Sequence, residues 1–388
     1  MIQPFTIHIP QSVLDDLSDR LARTRWPDEI AGAGWDYGSN PEYLQELIEY
    51  WRTKFDWRAQ ERALNRFAHF RVDIEGLGIH FMHERGRGED PMPLMLLHGW
   101  PATFQQMLKI IPSLTDPESH GGDASDSFDV IVPSLIGYGF SDRPKEKGVS
   151  VFRIGDLFAR LMTEELGYRR FAVRASDLGT GVALRFGLAY PDFIFGLHLN
   201  GANPRAGAIP PQEMTEAEKK YVADVESFWA REGAYAMMHA TKPQTLAYGL
   251  NDSPAGLAAW IVEKFRAWSD CDGDVEKRFT KDELLTNLTI YWATETINSS
   301  CRLYYETMQI WRGPGKKIEL PTAMSIFPKD LIPQPREWTE RQYNVVRWTE
   351  MPRGGHFAEM EEPQLLAEDI RAFFRQFRTQ DRMDSRAA

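Results

Sequence analysis

The apolar run Phe171-Ala172-Val173-Arg174-Ala175 breaks at Ser176-Asp177-Leu178-Gly179-Thr180-Gly181, and a helical pattern resumes from Val182 to Tyr190. A buried strand that turns at small residues straight into a helix holds the side chain at the turn above the edge of a parallel sheet. Here that side chain is the carboxylate of Asp177. A Ser or Cys in its place would form an acyl-enzyme, whereas an Asp attacks a carbon electrophile and becomes an alkyl ester itself. The stretch therefore constrains both the architecture around it and the chemistry it can carry.

The flanking sequence supplies such a sheet. Leu94-Met95-Leu96-Leu97 ends in His98-Gly99-Trp100-Pro101, and Asp129-Val130-Ile131-Val132-Pro133 ends in Ser134-Leu135-Ile136-Gly137-Tyr138-Gly139. Both read as buried parallel strands opening onto loops at one edge. A helix around Ile154 to Leu166 leads into the turn strand, and Ile194 to Asn200, Pro321 to Phe327 and a segment before Met351 read as further strands. Phe70 to Ile74 and Ile79 to His83 read as a hairpin turning at Gly76-Leu77-Gly78. Strands alternating with helices, with a reactive group at the turn, predict an α/β-hydrolase fold with a mostly parallel sheet.

Two segments fall outside the alternation. Residues 1–66 carry helical spacing through Val13, Leu14, Leu17 and Leu21, and again through Tyr43, Leu44, Leu47, Ile48 and Trp51. They read as an N-terminal helical extension whose tryptophans Trp26, Trp35, Trp51 and Trp57 pack it onto the main domain. Residues 206–315 are helical in pattern and rich in aromatics, as expected of a helical cap over the site, leaving 67–205 and 316–388 as the two parts of the core. A last helix is expected from Pro363 to Phe377, followed by a frayed polar tail over 379–388.

A formal net charge of −11 argues against nucleic-acid binding and disfavours anionic substrates. No apolar run is long enough to span a bilayer, and the residues after Met1 lack the basic and apolar regions of a signal peptide. With only Cys271 and Cys301 there is no disulfide framework, which points to a reducing, cytoplasmic setting. His80 and His83 fall on opposite faces of a strand and no HExxH-type motif occurs, so no metal is expected.

In this fold a nucleophile, an acid and a histidine follow one another along the chain, each on a loop after a strand. Asp177, Asp330 and His356 occur in that order. His356 would serve as base for water, while Asp330 would hold its tautomer and offset its developing charge. The backbone N–H groups of Trp100 and Leu178 would form the oxyanion hole. Taken singly each has a plainer role: Asp177 a helix cap, Asp330 a surface carboxylate, His98-Gly99 a tight turn. Glu359, Glu361 and Glu362 beside His356 read as solvated.

These residues resemble the epoxide hydrolases of the α/β-hydrolase superfamily, in the branch with a long N-terminal extension that includes the microsomal and juvenile-hormone enzymes. The resemblance covers nearly the whole chain. It is carried by Ile9-Pro10, Thr24-Arg25-Trp26-Pro27, His98-Gly99-Trp100-Pro101, the Asp177 turn, 251–258, Ser299 to Tyr304, Phe327-Pro328-Lys329-Asp330 and Pro352 to Phe357. It implies a detoxification-type hydrolase that converts an epoxide to a vicinal diol through an Asp177 ester, without cofactor or metal. Tyr235, which precedes Thr241-Lys242-Pro243, and Tyr304 would be the two acids, with Tyr248 and Tyr305 as the competing positions. The expected partners are a small apolar epoxide and water, without nucleic acid or membrane, and a homo-oligomer is left open.

Two departures stand out. Relatives commonly carry Gly-Gly-Asp-Trp at the turn where this chain has Ala175-Ser176-Asp177-Leu178, and the N-terminal membrane anchor of the microsomal relatives is not seen. The rival enzyme, a haloalkane or haloacid dehalogenase, expels a halide that needs no proton. It would use an indole or amide donor where this chain has Leu178. A scaffold that only binds an apolar ligand would have no use for all three catalytic types in order.

Overall fold

The computed structural model describes residues 1–201, 210–310 and 316–387, with only the backbone for 211 and 379–387. The expected boundaries at 205/206 and 315/316 lie outside the described residues. The strands are β1 (Gln3–Pro4), β2 (His69–Ile74), β3 (Leu77–Glu84), β4 (Met92–Leu97), β5 (Phe128–Pro133), β6 (Phe171–Ala175), β7 (Ile194–Leu199), β8 (Ile318–Ile326) and β9 (Tyr343–Glu350). They form one sheet in the order β1-β2-β3-β5-β4-β6-β7-β8-β9. The pairs β1/β2, β2/β3 and β3/β5 are antiparallel, and all others are parallel.

The central strands β4 to β7 are apolar along most of their length because helices cover both faces. Alternate residues serve different cores. Met95, Leu97, Val173 and Ala175 join the helices Val151–Arg160 and Asp177–Ala189 on one face, while Leu94, Leu96 and Ala172 join Ile111, Phe373 and Phe374 on the other.

The sequence misplaces several details. The hairpin turns at Glu75 and Gly76, both with positive φ (55° and 76°), so Leu77 and Gly78 already belong to β3. Two successive left-handed residues match the right-handed twist of the paired strands. The edge strand β1 escapes detection because two residues carry no period, and its Pro4 suits an edge that needs no further donor. The final helix continues past Phe377 to Ala387, where a frayed tail is expected.

The tryptophans of the first segment divide. Trp57 is buried in the sheet core with Met82 and Leu94, whereas Trp51 donates to Thr289 Oγ1 (3.1 Å) on the helix Lys281–Thr294. Trp35 packs on Tyr43 and under Arg266, and Trp26 is 39% exposed, so neither sits on the sheet domain. The segment is bound as much to the helices between β7 and β8 as to the sheet. Among the described residues no helix is long and apolar enough to cross a membrane. Cys271 and Cys301 are free and buried.

Candidate active site

Ser176 leaves β6 in an extended conformation and Asp177 turns at φ 48°, in the left-handed region, to open the helix Asp177–Ala189. A non-glycine residue held there stores strain that the surrounding packing must overdetermine. Gly99 lies directly against it. A Cβ on Gly99 would collide with the Asp177 carboxylate, so glycine is the residue that lets the His98–Pro101 loop approach this closely. That approach delivers the Trp100 N–H to Asp177 Oδ1 at 2.8 Å. The Leu178 amide stands in the first turn of the same helix, where N–H groups have no intrahelical acceptor.

His98 holds the loop in place. Its Nε2 accepts from the Leu135 N–H (3.1 Å) and its Nδ1 lies 3.2 Å from the Gly99 carbonyl. Burial pushes its pKa down to about 4, so the ring is neutral and supplies one acceptor and one donor to these two backbone groups.

The second oxygen of Asp177 faces His356, with Nε2 at 3.6 Å from Oδ2. On the other side of the ring, Nδ1 lies 2.7 Å from Asp330 Oδ1. Burial works against a charge on this ring, yet the Asp330 and Asp177 carboxylates prevail and raise its pKa to about 10. The setting between the two carboxylates thus favours the protonated ring. Its loop is pinned by the His356 N–H donating to the Trp268 carbonyl (2.8 Å), and Gly355 is required because a Cβ would press on the Trp268–Asp270 backbone.

The helices Ala234–Thr241 and Ile297–Ile310 bring Tyr235 and Tyr304 to this centre. Tyr235 stacks on the Trp100 indole (5.0 Å, 12°), and Tyr304 stands edge-on to both rings at 6.3 and 6.1 Å. Burial raises both phenol pKa values, and the Asp177 charge adds to the effect. The neighbouring phenol acts in opposite directions on the two, lowering Tyr235 and raising Tyr304. Tyr248 and Tyr305 are instead 75% and 36% exposed. The structure therefore gathers Asp177, His356, Asp330, Tyr235, Tyr304 and the Trp100 amide around one point.

Other features of the site escape sequence reading. Trp268 and His239 close the aromatic wall: Trp268 lies 5.3 Å from His356, and His239 lies 4.8 Å from Trp100 and 5.0 Å from Tyr304. The glutamates after His356 are not solvated. Glu361 is buried, accepts the amides of Phe357 (3.0 Å) and Asp270 (2.8 Å), and has its pKa raised by burial to about 7. Glu362 binds Arg278 and Arg353, and Glu359 pairs with Arg174 in the core. Charged residues this close to a buried loop go inside because the loop's own amides and nearby guanidinium groups partner them.

Residues 2–107 match the family described as the epoxide hydrolase N terminus, and residues 92–235 match the alpha/beta hydrolase fold. Epoxide hydrolase 1 of Oryctolagus cuniculus is 37% identical over an alignment covering 96% of this chain and 88% of the rabbit protein. The structure of juvenile hormone epoxide hydrolase from Bombyx mori superposes with a TM-score of 0.85 at 31% identity, covering 98% of this chain and 94% of that one. Aspergillus niger epoxide hydrolase gives a TM-score of 0.85 at 33% identity, with 97% and 96% covered.

Proposed function

The chain belongs to the epoxide hydrolases of the α/β-hydrolase superfamily and is an epoxide-hydrolysing enzyme, and on that premise we propose that it works through a covalent ester on Asp177. The observation that carries this reading is the unequal setting of the two Asp177 oxygens. Oδ1 is held by the Trp100 amide at 2.8 Å, while Oδ2 accepts from no backbone N–H among the described residues and faces His356 at 3.6 Å. Oδ2 attacks an oxirane carbon, and Oδ1 remains as the carbonyl oxygen of the new ester.

Ring opening expels an alkoxide, a poor leaving group. Tyr235 and Tyr304 donate hydrogen bonds to that oxygen, and one phenol gives it a proton. Their raised pKa values keep both hydroxyls protonated until then. Esterification removes the Asp177 charge, so one of the two carboxylates holding the proton on His356 is gone; the ring gives that proton to the phenoxide left by ring opening and becomes able to act as a base. Asp330 keeps its tautomer and orientation. Water activated by His356 Nε2 then attacks the ester carbonyl carbon. The oxyanion forms on Oδ1, where the Trp100 and Leu178 amides stabilise it by roughly 3 to 4 kcal/mol per donor. The diol leaves with a proton from His356, and the proton of the new Asp177 carboxyl passes to the ring, which restores both groups for the next turnover.

In this reading residues 206–315 are a cap that brings the two acids to the nucleophile of the core (67–205 and 316–388), and residues 1–66 are an extension that holds the cap. A wall of Trp100, Trp268 and Leu178, in a protein of net charge −11, favours a small apolar epoxide. Incubation with an aryl epoxide and, separately, a haloalkane should give diol from the first and no halide from the second. Halide release at a comparable rate would assign the site to dehalogenation.

The tyrosines separate the two steps. Tyr235→Phe and Tyr304→Phe should each slow alkylation by about 2 to 4 kcal/mol, the cost of losing one donor to a developing oxyanion. Ester hydrolysis should stay within about threefold of wild type, since neither phenol is asked to act there. Rapid-quench measurement of Asp177 alkylation checks this, and unchanged alkylation would return Tyr248 and Tyr305 to consideration.

A further inference from the structure

Beneath the catalytic loops lies a buried salt bridge that no step of the reaction uses. Arg174 on β6 and Glu359 on the short helix Ala358–Glu361 are both fully buried, with Nη2 and Oε1 2.8 Å apart. The second Glu359 oxygen accepts from Gln106 Nε2 at 2.7 Å, in the turn Phe104–Met107 that follows the Trp100 loop. Arg174 Nη2 also donates to Asn200 Oδ1 (2.6 Å) at the end of β7, and Asn200 Oδ1 accepts from Ser325 Oγ (2.7 Å) on β8. One ion pair thereby ties together the four segments that carry Asp177, Trp100, Asp330 and His356.

We propose that Arg174 and Glu359 are positioning residues that set the separation between His356 and Asp177, and so govern hydrolysis of the ester rather than its formation. A fully buried ion pair is a weak source of stability, because desolvating the two charges offsets much of their attraction, and an apolar pair of similar volume fills the same space at little cost. Its place in a strand otherwise made of Phe, Ala and Val therefore calls for a geometric role. The planar guanidinium suits that role: it binds Glu359 and Asn200 in fixed directions, which a flexible ammonium does not. Alkylation depends on Asp177, which stands just past the end of the same strand as Arg174, and on the tyrosines of the two cap helices. It does not depend on how the His356 loop that precedes Glu359 is set against that strand. Hydrolysis needs water held between His356 Nε2 and the Asp177 carbonyl carbon, so it senses any shift of the His356 loop against β6.

The inference rests on the two-step reading above, and its test is the Arg174→Met/Glu359→Met double variant, which removes both charges while keeping side-chain bulk. Alkylation of Asp177 in a single turnover should remain within about threefold of wild type, while ester hydrolysis falls by about tenfold or more. Intact-protein mass spectrometry during turnover should then find the ester accumulating. Arg174→Lys keeps the charge pair and decides the matter if the double variant does not fold: it should slow hydrolysis selectively by about three- to tenfold. Hydrolysis at the wild-type rate in a folded variant, or equal loss in both steps, would overturn the proposal. His356→Gln run alongside separates the two ideas. No ester in that variant counts against the two-step reading, whereas an ester there and none in the Arg174 variants counts against the positioning role alone.

Discussion

His356→Gln is expected to stop the enzyme after one chemical step, with the substrate left esterified to Asp177. The imidazole lies between Asp330 (2.7 Å) and Asp177 (3.6 Å), and the mechanism we propose uses its basicity only to activate water. A glutamine can still hydrogen-bond in that space but cannot take a proton. Losing the general base should slow hydrolysis by about 10² to 10⁴, while alkylation, which asks nothing of a base, proceeds. Mixed with an epoxide, the variant should gain the mass of one substrate on the peptide containing Asp177. An unmodified peptide despite measured substrate binding would mean that His356 acts earlier or that the nucleophile lies elsewhere.

Asp177→Ala should reduce diol formation by on the order of 10⁴ or more, because removing a nucleophile leaves only what binding and the oxyanion donors supply. No other carboxylate at the turn can replace it: Asp330 is committed to His356, and Glu359 and Glu361 are engaged beneath the loop. The substitution also places an alanine at φ 48°, so its melting temperature should accompany the kinetics. A folded variant that retains diol formation near the wild-type rate would remove Asp177 from the chemistry.

What could be read from the sequence followed from local rules. The turn at Asp177, the strands leading to the loops around it and the chain order of Asp177, Asp330 and His356 follow from strands a few residues long, each ending in a loop, and such patterns are visible along the chain. What could not be read depends on partners distant in sequence. Three glutamates after His356 look solvated until Arg174 and Gln106 converge on Glu359, the amides of Phe357 and Asp270 on Glu361, and Arg278 and Arg353 on Glu362. The signal was present on one side only, as a single arginine in an apolar strand. Likewise, nothing in periodicity separates Tyr235 and Tyr304 from Tyr248 and Tyr305. Resemblance points to the first pair, and the fold puts the second pair on the surface because helix packing decides which face of each cap helix turns inward. Gly99 reads as a turn residue, whereas its lack of a side chain is what admits Asp177 to the Trp100 amide.

The central claim is that water attacks the Asp177 ester and not the epoxide, and a single turnover in ¹⁸O-labelled water, with enzyme in excess over substrate, tests it most directly. In the proposed mechanism Asp177 supplies one of its own oxygens to the diol and regains one from water, so mass analysis of the proteolytic peptide should find ¹⁸O in the Asp177 carboxylate and the diol unlabelled. Label in the diol, with the Asp177 peptide unchanged, would mean that water opens the ring itself and would contradict the covalent mechanism.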